Sequence, residues 1–362
     1  MNSTPTYLSD TQKFSQCKTI VRTALRCLLP ALICVRIVLP NQNSDFLQND
    51  YLPAAAGVAG SVSAMQGENE LYIYNPASAA FNSIRSFYLM HSMSPEKILT
   101  EYMSVFMPDI LKKFNMGIAL LYRNTYIDAY TRQFENNGDL LWKDIRATLS
   151  FSRKTSKGLF KGQKTALGTG FNIHYAQSGA DKYVGRSILI DAGISYPLWH
   201  KGTVSLLAKN FGFDLRYGLI PDWGGYATPF EIRPAMSYPF MNSKLILSTE
   251  FVLQPYTIRE DFVTFLGGVR VQPVKILVLR GGIKTDLRDN TIPTAGGSII
   301  LPFSADLNLS LDYSVTWLTM LGMEHSFGTG FNYVAPRKPI KRKPRVSLKK
   351  RIEARREARK KK

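Results

Sequence analysis

The chain holds four histidines, His91, His174, His200 and His325, and no two share a spacing that would turn them toward one ion. Zinc sites draw their ligands from short recurrent spacings such as His-x-x-x-His or Cys-x-x-Cys. Neither occurs here, and Cys17, Cys27 and Cys34 all lie before residue 35. Residues 57–61 contain two glycines but lack the Gly-Lys-Ser/Thr ending of a phosphate loop, and no Gly-x-Ser-x-Gly elbow is present. Gly328-Thr329-Gly330 falls inside an expected strand. No cofactor is implied. What remains is carboxylate chemistry: Asp191, Glu250, Asp306, Asp312 and Glu324 all fall at positions expected to face a common interior. Grouped carboxylates can do acid–base work, but a charged lining is ordinary in a water-filled lumen, and no catalytic residue is assigned.

The interior is inferred from the elements that must carry these residues. In residues 305–317 one face holds Ala305, Leu307, Leu309, Leu311, Tyr313, Val315 and Trp317. The other holds Asp306, Asn308, Ser310, Asp312, Ser314 and Thr316. The same strict alternation runs through residues 144–152 and 187–196, where Leu189 is an apolar residue on the polar face. A helical period would smear the polar residues around every face, so these are strands. Weaker versions recur, and together they predict fourteen strands: 84–92, 100–108, 113–123, 143–153, 165–176, 185–197, 202–210, 228–239, 243–254, 262–272, 275–287, 293–303, 305–316 and 321–333. The second and eleventh are the weakest patterns, and Arg280 falls on the nominally apolar face of the eleventh.

Many of these strands approach the nine to eleven residues that a tilted transmembrane strand needs. Their second face carries small polar residues in place of the Lys and Glu of a solvated sandwich, which suits a wet lumen. Aromatics gather near strand ends (Tyr122, Tyr196, Trp199, Tyr238, Phe240, Tyr313, Trp317, Tyr333), as an interfacial girdle requires. The expected fold is therefore all-β: a transmembrane antiparallel barrel of about fourteen strands over residues 84–334, sitting in the lipid bilayer of a bacterial outer membrane. The soluble alternative is a β-sandwich whose strands alternate because one face packs inward.

Charge supports the division of the chain. The net charge is +19; residues 335–362 contribute +13 and residues 1–40 contribute +4, which leaves +2 for residues 41–334. The body is nearly neutral, and a nucleic-acid partner loses its electrostatic footprint. Residues 1–40 read as a signal-peptide-like leader, with Lys13, Lys18, Arg22 and Arg26 before an apolar stretch at 27–35. Arg36 and the lack of a small-x-small site keep open a buried helix or an uncleaved anchor. Residues 335–362 form a basic tail, extended through Pro336, Pro339 and Pro344, then disordered or helical from Ser347. Its expected partner is an anionic cell-wall or membrane surface on the periplasmic side.

Residues 41–83 precede the first strand and differ in kind. A Gly/Ala run at 54–64 leads through Gly67-Glu68-Asn69-Glu70 to Tyr74-Asn75-Pro76-Ala77, where Pro76 fixes φ and Asn75 can bond nearby backbone. Small residues allow close backbone approach, which suits a plug, or hatch, in a barrel mouth. This order of features resembles the FadL-like outer-membrane proteins, and within them the branch of PorV-type and uncharacterised spirochaete proteins. The resemblance spans about residues 51–334. The branch carries paired aspartates where this chain has Glu68 and Glu70, so the charge is kept and the residues are not. The resemblance implies a fourteen-stranded barrel, a hatch whose turn is Asn75, Pro76 and Ala77, and a route for hydrophobic small-molecule ligands such as long-chain fatty acids. It carries over no ligand-pocket residue. Two other functions compete: a non-transporting binding or secretion-assembly factor of the PorV type, and a cytosolic basic-tailed protein that binds nucleic acid.

Overall fold

The structure is a computed structural model that describes residues 45–47, 50–95, 97–110, 114–130, 136–155, 166–180, 183–198, 202–212, 216–217, 228–255, 263–286, 290–318 and 321–334. The leader, the basic tail, Trp199 and His200 lie outside the described residues. No helix among the described residues is long and apolar enough to cross a membrane, a test that does not bear on strands.

Fourteen antiparallel strands form one closed ring. In chain order they are β1 (Arg85–Met93), β2 (Leu99–Met107), β3 (Phe114–Tyr130), β4 (Asn136–Thr155), β5 (Leu167–Ala180), β6 (Tyr183–Pro197) and β7 (Thr203–Gly212). They continue with β8 (Glu231–Phe240), β9 (Leu245–Leu253), β10 (Val263–Val274), β11 (Leu277–Thr285), β12 (Thr291–Pro302), β13 (Leu307–Trp317) and β14 (Met323–Tyr333). Each strand pairs with its chain neighbours, and β1 closes on β14 with Arg85 opposite Tyr333. A two-residue piece, Arg216–Tyr217, adds to the edge of β6 beyond β7. The ring rules out the two packed sheets of a sandwich.

Polarity in this ring is inverted. Ile188, Ile190 and Ile194 are 54%, 42% and 44% exposed, while Ser187, Asp191 and Ser195 next to them are buried. The same holds on β13, where Leu311 and Tyr313 point out and Ser310, Asp312 and Ser314 point in. Arg280 corrects the expectation for its strand: it is buried with Val278 on the inner face, and Leu279 and Ile283 make the outer one. Two strands outrun their expected length. Residues 124–130 and 136–142 keep pairing as a tall hairpin, although polar residues such as Asp128 and Asp139 obscure the alternation there.

Residues 45–47 and 50–81 fill the barrel interior with short pieces: 3-10 turns at Asp45–Leu47 and Asn69–Ile73, and two single-turn helices, α1 (Pro53–Ala56) and α2 (Pro76–Ala79). Prolines at the start of both helices fit the position where no backbone donor is needed. Helix α1 rests on β12, β13 and β14, whereas α2 rests on β4, β5 and β6, so the segment reaches opposite arcs of the wall. Its buried Tyr51, Leu52, Val58, Leu71 and Tyr72 form one cluster with Tyr88, Tyr102 and Phe106 of β1 and β2. The core of the molecule is this plug–wall contact.

Candidate functional site: the seated plug

Asn75 is fully buried and organises the turn that seats α2. Its Oδ1 accepts from Ala77 N at 2.9 Å, its Nδ2 donates to Ser63 O at 2.5 Å, and its own carbonyl accepts from Ser78 Oγ. The first bond caps α2 and the second ties α2 to the residues that follow α1. Tyr74, just before it, offers its ring face to a cation: Lys209 Nζ lies 5.8 Å from the ring centroid. Pro76 and Ala77 are buried against β5 and β6, where inward-facing glycines make the space. A Cβ on Gly170 would strike the Pro76 backbone, and one on Gly193 would strike the Asn75 amide.

Two ionic clamps join plug and wall. In the first, Glu250 on β9 accepts from Ser63 N at 3.0 Å and from Ser63 Oγ at 2.8 Å. Arg233 on β8 bridges Glu250 (3.2 Å) and Glu231 (2.7 Å), so the buried charges are paired. In the second, Glu68 of the plug lies between Arg270 at 2.8 Å and Arg280 at 3.0 Å. Burial would raise the Glu68 carboxyl, but the Arg280 and Arg270 guanidiniums more than reverse this and hold it below its ordinary range. Glu70 has the opposite fate. Burial, reinforced by the charges of Glu68 and Asp312, pushes it up to about 8, so it is protonated at neutral pH.

The five carboxylates singled out in the sequence are spread around the wall. Asp312 accepts from Tyr88 at 3.0 Å, and Glu324 accepts from Ser92 Oγ at 2.9 Å. Asp191 bonds His174 Nε2 at 2.7 Å and accepts from Asn210 N; Thr148 Oγ1 lies 2.8 Å from the other nitrogen of that ring. Asp306 is the exception. It precedes β13 in the turn from β12, half-buried at the rim, because the strand starts at Leu307 and not at residue 305. The carboxylates therefore do not converge on one centre, and no group of metal ligands forms among the described residues. Of the inward-facing cations, Lys209, Arg233 and Arg270 were not singled out in the sequence, and Arg280 was expected on the outer face. His91 and His325 lie on the outer wall, His91 bonded to Glu101 at 2.7 Å beside a crevice of about 410 Å³ walled by Leu89, Met103, Leu120 and Phe327.

This chain shares its fold with known transporters. The Ralstonia pickettii toluene transporter TbuX superposes with a TM-score of 0.56 at 12% identity, covering 80% of this chain and 98% of that one. The Pseudomonas putida toluene transporter TodX gives 0.54 at 10% identity, covering 79% and 98%. Identities this low speak for architecture alone. No family model and no curated protein matches the sequence. The closed ring described above is thus a fold that toluene transporters also use.

Proposed function

We propose that the chain is a bacterial outer-membrane channel that admits hydrophobic small molecules past a seated N-terminal plug. The observation that carries this is the inverted polarity: a closed ring with large apolar side chains outside and buried Ser, Thr and charged residues inside is built for hydrocarbon around it. The plug adds the second half, because a barrel already filled by its own chain needs a removable part if anything is to pass. The toluene transporters that share the architecture support a hydrophobic cargo such as a small aromatic; a long-chain cargo rests on the resemblance to the FadL-like group. Placement in the FadL-like group, near its PorV-type branch, is the finer part of this proposal and rests on the Asn75-Pro76-Ala77 turn. An even strand count leaves both chain ends on one side, the periplasm, where the basic residues at 335–362 would be drawn to anionic surfaces.

The test is to express the chain in an outer-membrane host lacking its own hydrophobic uptake channel. Heat-modifiable migration of the outer-membrane fraction shows the folded barrel, and entry of labelled toluene and oleate is measured against empty vector. Faster entry of either cargo supports the proposal. A heat-modifiable barrel with neither uptake above background would overturn it.

A further inference from the structure

Ladder partners set residues of neighbouring strands at one height on the wall. One outward row crosses six strands as His91, Glu101, Tyr122, Ile145, Gln177 and Arg186. The two outward rows beneath it, from Leu89 to Ile188 and from Phe87 to Ile190, hold only apolar and aromatic side chains. Hydrocarbon contact therefore ends at the His91–Arg186 row, on the side of the tall β3–β4 hairpin, and headgroups begin there.

On β1 and β2 the ionisable groups at this height are already matched, since His91 bonds Glu101. On β4 and β6 they are not. Lys143, one outward position above Ile145, and Arg186 are exposed and form no ion pair among the described residues. Gln177 stands directly opposite Arg186 and diagonal to Lys143, which sets their Cβ atoms about 5 Å and about 7–8 Å away. Its Oε1 is taken by the Tyr175 hydroxyl at 3.0 Å, and its Nε2 has no partner among the described residues. Three donors, two of them cationic, stand together without a free acceptor, which is the chemistry of a phosphate site.

The wall below these donors is grooved. The outward line of β4, Ile145, Ala147, Leu149 and Phe151, is half-buried. Ile118 and Leu120 on β3 stand exposed on one side of it, and Phe171, Ile173 and Tyr175 on β5 on the other. The furrow is deepest at Ala147, level with Leu120 and Tyr175. It runs about 20 Å along the strand from Ile145 to Phe151, where the Phe151 and Phe171 rings, 5.2 Å between centroids, close its lower end.

We propose that this furrow and the donors Lys143, Gln177 and Arg186 form an outer-wall site for one anionic membrane lipid with a phosphate headgroup. The phosphate sits on the three donors and an acyl chain lies along β4. Charge selects the occupant: a zwitterionic lipid brings an ammonium to a face with no acceptor to receive it, and Glu101, two strands away, is held by His91. This rests on the membrane-spanning reading of the ring, and it adds which lipid the wall retains and where.

The test titrates the full chain, purified in an uncharged detergent, with phosphatidylglycerol and with phosphatidylcholine of the same acyl chains. Bound lipid is counted by native mass spectrometry. The unaltered chain is expected to prefer phosphatidylglycerol, and Lys143→Gln combined with Arg186→Gln to lower that preference about tenfold. Ala147→Phe fills the furrow, leaves both cations in place and is expected to weaken phosphatidylglycerol binding severalfold. Inorganic phosphate at the lipid's concentration should leave the bound lipid in place. Heat-modifiable migration confirms that each variant keeps its barrel. Equal affinity of the unaltered chain for both lipids, an undiminished preference in the double variant, binding untouched by Ala147→Phe, or release by inorganic phosphate would overturn the site. A heat-modifiable barrel in the outer-membrane fraction with no lipid preference counts against this site alone, whereas absence of the unaltered chain from that fraction counts against the membrane reading.

Discussion

Asn75 carries more of the plug than its size suggests, because one buried amide serves two segments. Replacing it by alanine removes the cap of α2, worth about 1 kcal/mol, and leaves the Ser63 carbonyl without its 2.5 Å donor, about 1–3 kcal/mol more. The expected result for Asn75→Ala is a plug loosened by about 2–4 kcal/mol in an intact barrel. It would be seen as protease cleavage within residues 57–81 with heat-modifiable migration preserved. Glu70 makes a prediction in pH. Its carboxyl is raised in the fold to about 8 from 4.5, so folding favours its protonated form. Below about 4.5 it is protonated folded or unfolded, and the seated plug keeps its full stability with respect to this group. As pH climbs toward 8 the seated plug loses stability, because the unfolded form ionises first. Glu68 has the opposite sign: lowered in the fold, it stabilises above its ordinary value and loses that as pH falls through the folded one. Plug protection should therefore peak in mild acid and decline toward pH 8. Glu70→Gln should flatten the alkaline side and leave the acid side unchanged. An alkaline decline that persists in Glu70→Gln would assign it to another group.

At the scale of elements, the wall and plug fit because strand glycines stand where plug backbone arrives. On β5, the carbonyl and ring of Pro76 occupy the space a Gly170 side chain would take. The obstacle is backbone, which cannot swing aside, so Gly170→Val should unseat α2 while β5 keeps its pairing with β4 and β6. The expected outcome is a raised single-channel conductance in planar bilayers; conductance equal to that of the unaltered chain would show that α2 does not close the path. Much of this level was legible in the sequence. Most of the fourteen strands follow the period-2 alternation, since a wall between lipid and a polar interior imposes opposite chemistry on successive residues; β2 does so weakly because its inner Tyr102 and Phe106 pack in the plug–wall cluster. The extra length of β3 and β4 was not legible, because beyond the bilayer neither face demands apolar residues. Glycines and basic residues on the inner face carry no signal until the plug that they meet is placed. Leu189 shows the limit well: within its strand it reads as an error in the pattern, and only the distant Phe46 explains it.

At the scale of the whole molecule, stability and location have one cause. The outward-facing row Leu89, Met103, Leu120, Ala147, Tyr175 and Ile188, exposed except for the half-buried Ala147, crosses six neighbouring strands at matched ladder positions. In water such a belt would be an aggregation surface; in a bilayer it is the contact that holds the ring. The inner row beside it, Tyr88, Ser104, Ala119, Thr148, His174 and Leu189, is buried, and its Tyr88, Ala119 and Leu189 cluster with plug side chains. Arginine should then be penalised on one row for reasons that do not apply on the other. Leu120→Arg places a charge among hydrocarbon, at a cost of about 2–4 kcal/mol if the position lies near the midplane and less toward either surface. The chain is expected to fold in detergent, where the head can reach water, and to lose that stability on transfer to bilayers, measured by urea unfolding in each. Ala119→Arg faces the plug and should disturb plug seating in both media alike. An outer-face penalty as large in detergent as in lipid would mean that the row packs against protein, and the membrane-spanning reading of the ring would fall with it.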